Sequence, residues 1–90
     1  MEEKNNQGSS QPFNPKDAKD WVKKGVELWK LGKLQEALKC FDQSIILDSN
    51  NIKAWFNKGV TLGNLKRLEE EIKVYDDLVA RFEQAQELAL

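Results

Sequence analysis

The residues Trp55, Phe56, Asn57, Lys58, Gly59 and Val60 restate Trp21, Val22, Lys23, Lys24, Gly25 and Val26 at a distance of thirty-four positions. The register then holds: Leu28 with Leu62, Leu31 with Leu65, Leu34 with Leu68, Glu36 with Glu70, Lys39 with Lys73, Phe41 with Tyr75 and Asp42 with Asp76. A period of this length marks a repeat architecture, in which each unit is one supersecondary element that cannot bury its apolar face alone. The fold is decided by this feature before any other.

Within the first unit, Trp21, Gly25, Leu28 and Leu31 recur at spacings of four and three, which predicts a helix with one apolar face down to Gly32. Asn14 is placed to cap it, with Pro15 at its first position and Asp17 in its first turn. Gly32 and Lys33 form the break, glycine being the usual residue for a left-handed helix end. A second helix from about Leu34 carries Leu34, Leu38, Phe41 and Ile45 on one face, with the small Ala37 among them, and so short a turn demands an antiparallel neighbour. Asp48, Ser49, Asn50 and Asn51 stop it and supply oxygens to cap the next.

The third helix, from about Ile52 to Leu65, repeats the first. The fourth, from about Leu68, repeats the second with Leu68, Ile72, Tyr75, Val79 and Phe82, and crowds Glu69, Glu70 and Glu71 at its positive end. After Phe82 the residues to Leu90 are all helix formers without Gly or Pro. Continuation of the fourth helix is the favoured reading, and a turn near Glu83 to Ala85 that starts a truncated repeat is the other. Residues 1–13 have almost no apolar surface to offset an ordering cost of about 1 to 2 kcal/mol per residue, which predicts a disordered tail.

Ninety residues allow one small domain. Fourteen Lys and Arg against fifteen Asp and Glu give none of the one-signed field expected of a nucleic-acid or membrane-surface binder. The helix beginning Leu34, Gln35, Glu36 is mixed in charge, unlike a DNA-recognition helix. One cysteine, Cys40, permits no intramolecular disulfide and offers no metal-binding spacing; it reads as a half-buried packing residue. The N-terminus lacks a signal-peptide core, and no apolar run approaches the ~18 residues of a membrane span. A soluble cytoplasmic protein is the default expectation.

There is no His, no nucleophile with a plausible base, no glycine-rich phosphate loop and no framed pair of acids, so catalytic residues, cofactor and metal ligands are all assigned as none. Asp42, Asp76 and Asp77 read as a solvated helix face, since an ion site needs oxygens converging on a loop.

Trp near the start of a 34-residue unit, Gly four residues on, Leu three further, then Ala and an aromatic in the second helix resemble the tetratricopeptide repeat (TPR). The matching residues are Trp21, Gly25, Leu28, Gly32, Ala37 and Phe41, then Trp55, Gly59, Leu62 and Tyr75. The resemblance covers about Asn14 to Phe82. It implies an all-α fold of two stacked antiparallel helix-turn-helix hairpins, an α-solenoid fragment. Residues 14–90 form that domain, with repeat 1 at about 18–51, repeat 2 at about 52–85 and a helical extension to 90. Departures from the family pattern are Lys24 and Lys58 where leucine is common, Lys66 for the turn glycine, Ser49 where proline is frequent, and Glu71 for a small alanine at a close helix contact. A carboxylate at that last place must snorkel or pair.

The resemblance further implies that the first helix of each hairpin lines a concave side. Helical rotation places Lys19, Val22, Lys23, Val26, Trp29 and Lys30 there from the first, and Lys53, Phe56, Asn57, Val60 and Asn64 from the third. Such a groove, apolar in its floor and edged by ammonium groups, suits an extended or helical peptide with acidic and apolar side chains. Trp29 and Phe56 are the expected anchors; the plainer reading makes each of these residues ordinary scaffold. The carboxylate clamp that some family members use on chaperone tails needs Lys and Asn where this chain has Val22 and Val26, with only Asn57 matching. Trp21 and Trp55 belong to the core. With two repeats, the outer face of the last helix, offering some of Leu78, Val79, Phe82 and Leu88, stays partly exposed and marks either self-association, such as a homodimer through that helix, or a piece of a longer array. The expected function is a protein-binding adaptor of unnamed partner, with a self-associating structural unit as the alternative.

Overall fold

A computed structural model of the chain describes the backbone of residues 15–89 and the side chains of residues 15–84. Four helices follow one another: α1 (Ala18–Lys30), α2 (Leu34–Leu47), α3 (Ile52–Asn64) and α4 (Leu68–Ala89). No strand occurs among the described residues. Each helix packs on its successor, and α1 also touches α3. Two helical hairpins therefore stack with α2 and α3 at the seam, as the repeat requires. The expected N-terminal tail lies outside the described residues.

The helix ends show where local chemistry decides. The sequence expectation of a helix opening at Pro15 is corrected: α1 begins three residues later, because the Asp17 carboxylate accepts the Asp20 amide at 3.0 Å and makes Asp17 the cap. Asp20 in turn accepts the Lys16 amide at 2.8 Å. At the other end, Leu31 is the C-cap and 70% exposed, so the apolar face of α1 stops at Leu28. Gly32 (φ +79°) then reverses the backbone, with its amide donating to the Trp29 carbonyl and the Lys33 amide to the Leu28 carbonyl, both at 2.9 Å. The second hairpin copies these bonds one repeat later, from Lys66 to Gly63 and from Arg67 to Leu62. Here, however, a lysine occupies the left-handed position (φ 64°), which costs what glycine avoids. Asn51 caps α3 through the Ala54 amide at 3.1 Å.

Two apolar clusters form the core. The first holds Val22, Leu28, Ala37, Cys40, Phe41 and Ala54, and the second Leu38, Trp55, Leu62 and Val74; Ile45 packs against both and joins them. The repeat reappears as geometry. A Cβ added at Gly25 would lie 2.5 Å from the Phe41 ring, and one at Gly59 would lie 2.6 Å from the Tyr75 ring. In each hairpin an aromatic of the second helix sits directly over a glycine of the first. Trp55 is buried, donating its indole N–H to the Ser49 carbonyl at 2.8 Å with the Arg81 guanidinium 4.8 Å over its ring. Trp21, expected in the core as well, is only partly buried. Among the described residues, no helix lies on the side of α1 that corresponds to the α2-covered side of α3.

Three sequence expectations are refined by packing. Glu71, half-buried, sits over Gly63, where an added Cβ would come within 2.7 Å of Oε2. The equivalent pair in the first hairpin is Trp29 and Ala37, so large and small have changed sides and the glycine makes room for the carboxylate. Asp42, expected on a solvated face, instead accepts from Lys58 Nζ at 2.8 Å and ties α2 to α3. Cys40 is fully rather than half buried, and loss of solvation pushes its thiol pKa up despite nearby Lys24, which makes it a poor nucleophile.

The face of α4 carrying Leu68, Ile72, Val79 and Phe82 is open: these side chains are exposed, whereas Leu38, the counterpart of Ile72, is buried under α3. Val74 and Leu78 turn inward to the second cluster, so Leu78 is not among the exposed apolar residues. Leu88 lies outside the described side chains.

Candidate protein-binding groove

α1 and α3 run side by side on one face of the stack, and Trp29 bridges them, its indole N–H donating to Asn64 Oδ1 at 2.7 Å. This bond fixes the ring while leaving it 38% exposed. Between the two helices lies a cavity of about 210 Å³ lined by Val26, Trp29, Phe41, Phe56, Asn57, Val60 and Thr61. Its walls are the expected residues of α1 and α3. Its floor is Phe41 and Thr61, both almost wholly buried, and neither is among the residues expected on this face.

Phe41 reaches this face because Gly25 has no side chain to keep its ring away. Thr61 spends its hydroxyl on the Asn57 carbonyl at 2.7 Å, four residues back in its own helix. Phe56 is 52% exposed and leans on Tyr75, ring centroids 6.4 Å apart at 46°, an arrangement that steadies an otherwise bare aromatic. Burial and the nearby Glu71 carboxylate push the Tyr75 phenol pKa up, so the ring stays neutral at ordinary pH. Among the described residues no partner holds the Asn57 side-chain amide, which stands at the cavity wall as a donor and an acceptor.

A second depression of about 200 Å³ lies toward the N-terminal ends of the same helices, lined by Lys19, Val22, Lys23, Asn51 and Lys53. Three ammonium groups meet here with no carboxylate in the lining. Asn51 is the addition of the structure: its position between helices hid it, and only its role as the α3 cap was legible. Val22 is buried in the first core cluster and gives this site an apolar base rather than a projecting contact. Lys30 is exposed and lines neither depression, and Asn64 acts through Trp29. The two sites together offer one apolar socket, wide enough for a leucine or phenylalanine side chain, and one basic ledge. Among the described residues no group of His, Cys, Asp or Glu could hold a metal ion, and no helix is long and apolar enough to cross a membrane.

Paired antiparallel helices repeating every thirty-four residues, with an aromatic packed over a glycine in each pair, define an α-solenoid of the helix-turn-helix kind. Two family models, both described as tetratricopeptide repeat, match residues 18–51 and 40–73. The first covers α1 and α2; the second straddles the seam from α2 through α3 into α4. The chain belongs to the tetratricopeptide repeat family. Repeats of this family generally mediate protein–protein interaction and are typically non-enzymatic scaffolds. No curated protein and no solved structure matches the chain.

Proposed function

We propose that this protein is an adaptor that holds a short acidic peptide across α1 and α3. One apolar side chain of the peptide enters the socket between Trp29 and Phe56, and its carboxylates lie toward Lys19, Lys23 and Lys53. The observation that carries the reading is the juxtaposition, on the same helix pair, of an apolar cavity with a depression edged by three lysines and no carboxylate. The socket excludes water around a contact that two held aromatics can make with little loss of side-chain freedom. The ledge, more exposed, steers the approach and sets the sign of the partner's charge rather than the bulk of the affinity. The adaptor works in a compartment that keeps Cys40 reduced, the cytoplasm being the simplest. Homodimerisation through α4 is the other reading, supported by the open apolar face of that helix.

The test is fluorescence anisotropy with short peptides that carry one central Leu or Phe and a graded number of acids. Replacing Trp29 and Phe56 together by Ala is expected to weaken binding about 30-fold or more while helicity by circular dichroism is kept. Reversing Lys19, Lys23 and Lys53 to Glu is expected to invert the charge preference. Equal binding by wild type and the aromatic double variant would remove the groove from consideration.

A further inference from the structure

The open face of α4 has a covered counterpart in the same molecule. Leu68, Ile72, Val79 and Phe82 are between 49% and 62% exposed, along about 21 Å of helix. On α2 the same face is roofed by α3, which takes Leu38 down to 7%. The roof is pinned at its edge by Lys58 Nζ on Asp42 Oδ1, 2.8 Å apart. One repeat on from Asp42 stands Asp76, exposed, at the edge of the α4 stripe.

The α4 edge is more acidic than its template. Glu69, Asp76 and Glu83 follow one another at seven-residue spacing and all are exposed, where α2 and the loop after it have Gln35, Asp42 and Ser49. By helical rotation the three acids border the apolar stripe on one side, and Lys73 stands farther round, away from it.

We propose that α4 docks a basic amphipathic helix of another polypeptide, antiparallel, in the place α3 takes on α2. Its apolar face covers Leu68, Ile72, Val79 and Phe82, and its cations, seven residues apart, meet Glu69, Asp76 and Glu83. A second copy of this chain fits worse by either route. Two α4 helices set antiparallel bring the acidic edge against itself, a like-charge arrangement that opposes pairing. Seating α1 of a second copy on α4 would place its Lys24 against Asp76. It would also put Asp20 and Glu27 where α3 has Ala54 and Thr61, both at 0% exposure, and taking two carboxylates out of water there costs more than their contacts to the Lys16 amide and the Lys24 ammonium return.

The probe is a fluorescein-labelled peptide of residues 50–66 of this chain, the natural roof of α2, with Asn51→Lys and Leu65→Lys. Its lysines at positions 51, 58 and 65 then face Glu83, Asp76 and Glu69 in the antiparallel setting. At low salt this peptide is expected to bind the full chain about tenfold more tightly than the unaltered segment, from two added ion pairs. That advantage is expected to vanish at high salt and in the Glu69→Gln, Asp76→Asn, Glu83→Gln variant. Ile72→Asp is expected to abolish binding of both peptides, and Trp29→Ala to leave it unchanged, which separates this site from the groove. Should Ile72→Asp lose helicity, Phe82→Glu at the far end of the stripe serves the same comparison. Equal affinity of the two peptides, or binding that survives both stripe variants, overturns the proposal. So does a sedimentation measurement showing a dimer that Ile72→Asp dissociates, since the occupant is then a second copy.

Discussion

The two hairpins share a template but differ in how firmly it is held. In the first, Phe41 over Gly25 is 1% exposed and enclosed by α1, α2 and the start of α3. In the second, Tyr75 over Gly59 makes nearly the same close contact yet is only half-buried, because the outer side of α4 is uncovered. Identical local geometry therefore carries different energetic weight. What changes is how many neighbours must move when the contact is disturbed.

Gly25→Ala and Gly59→Ala put the comparison under the largest strain. The first forces a methyl into an aromatic ring that cannot retreat, and a net loss of about 2 kcal/mol is expected after the helix-propensity gain of alanine. The second displaces a ring with open space beside it, for about 1 kcal/mol or less. Urea melts of the two variants check this, and equal losses would show that the second hairpin is as tightly closed as the first.

The turns offer a smaller contrast with the sign reversed. Lys66→Gly is expected to stabilise the chain by about 1 kcal/mol, since only the backbone conformation is relieved. Gly32→Ala is expected to cost a similar amount, because open space surrounds Gly32 and its φ of +79° is the sole obstacle. A thermal shift of the same sign in both would break the equivalence of the two turns.

Gly63→Ala gives a sharper reading of the exchange between Trp29 with Ala37 and Gly63 with Glu71. The added methyl meets the end of a flexible carboxylate rather than backbone. The expected result is between neutral and about 1 kcal/mol stabilising from helix propensity. A clear loss in the same urea melts would mean that Glu71 cannot swing aside.

The smallest effect is a titration. Tyr75 is the single tyrosine, so absorbance of the ionised phenol reports on it alone. Its folded pKa is raised above the ordinary value of 10, chiefly by desolvation. The folded state thus holds the proton more tightly than the unfolded chain. The stabilisation is fully present below the unfolded pKa and is lost as pH rises above it through the folded value. Tyr75→Phe, the residue the first hairpin already uses, is expected to flatten that alkaline decline; an unchanged decline would show that Tyr75 is not its source.

Much of this was legible without coordinates. The thirty-four-residue period, the glycine breaks and the side-chain caps name four helices in two copies, because helix periodicity and termini are written in local residue choices. Trp29, Phe56, Val26 and Val60 were placed on one face by the same rotation rule. Phe41 was missed as the floor of the socket because a residue of α2 emerges on the α1–α3 face only when a neighbour is small, as Gly25 is, and Thr61 because it sits at the edge of the α3 face and is wholly buried. The start of α1 was misjudged for a local reason too. Asp17, read as a first-turn acid, is itself a good cap and takes that place, and Pro15 is permitted at the first helical position without being required there.

The sequence by itself determined that this chain is a pair of like hairpins, for a repeat states its own partner: each copy is the surface the other is made to cover. That count of repeats already left the last helix with an open face, but only the tertiary structure decided which side chains make it, with Leu68 and Ile72 outward and Leu78 turned in. Leu38 and Ile72 occupy equivalent places, yet one lies under α3 and the other faces outward. Burial is a property of what stands opposite a residue, and no window of sequence around Ile72 contains that information.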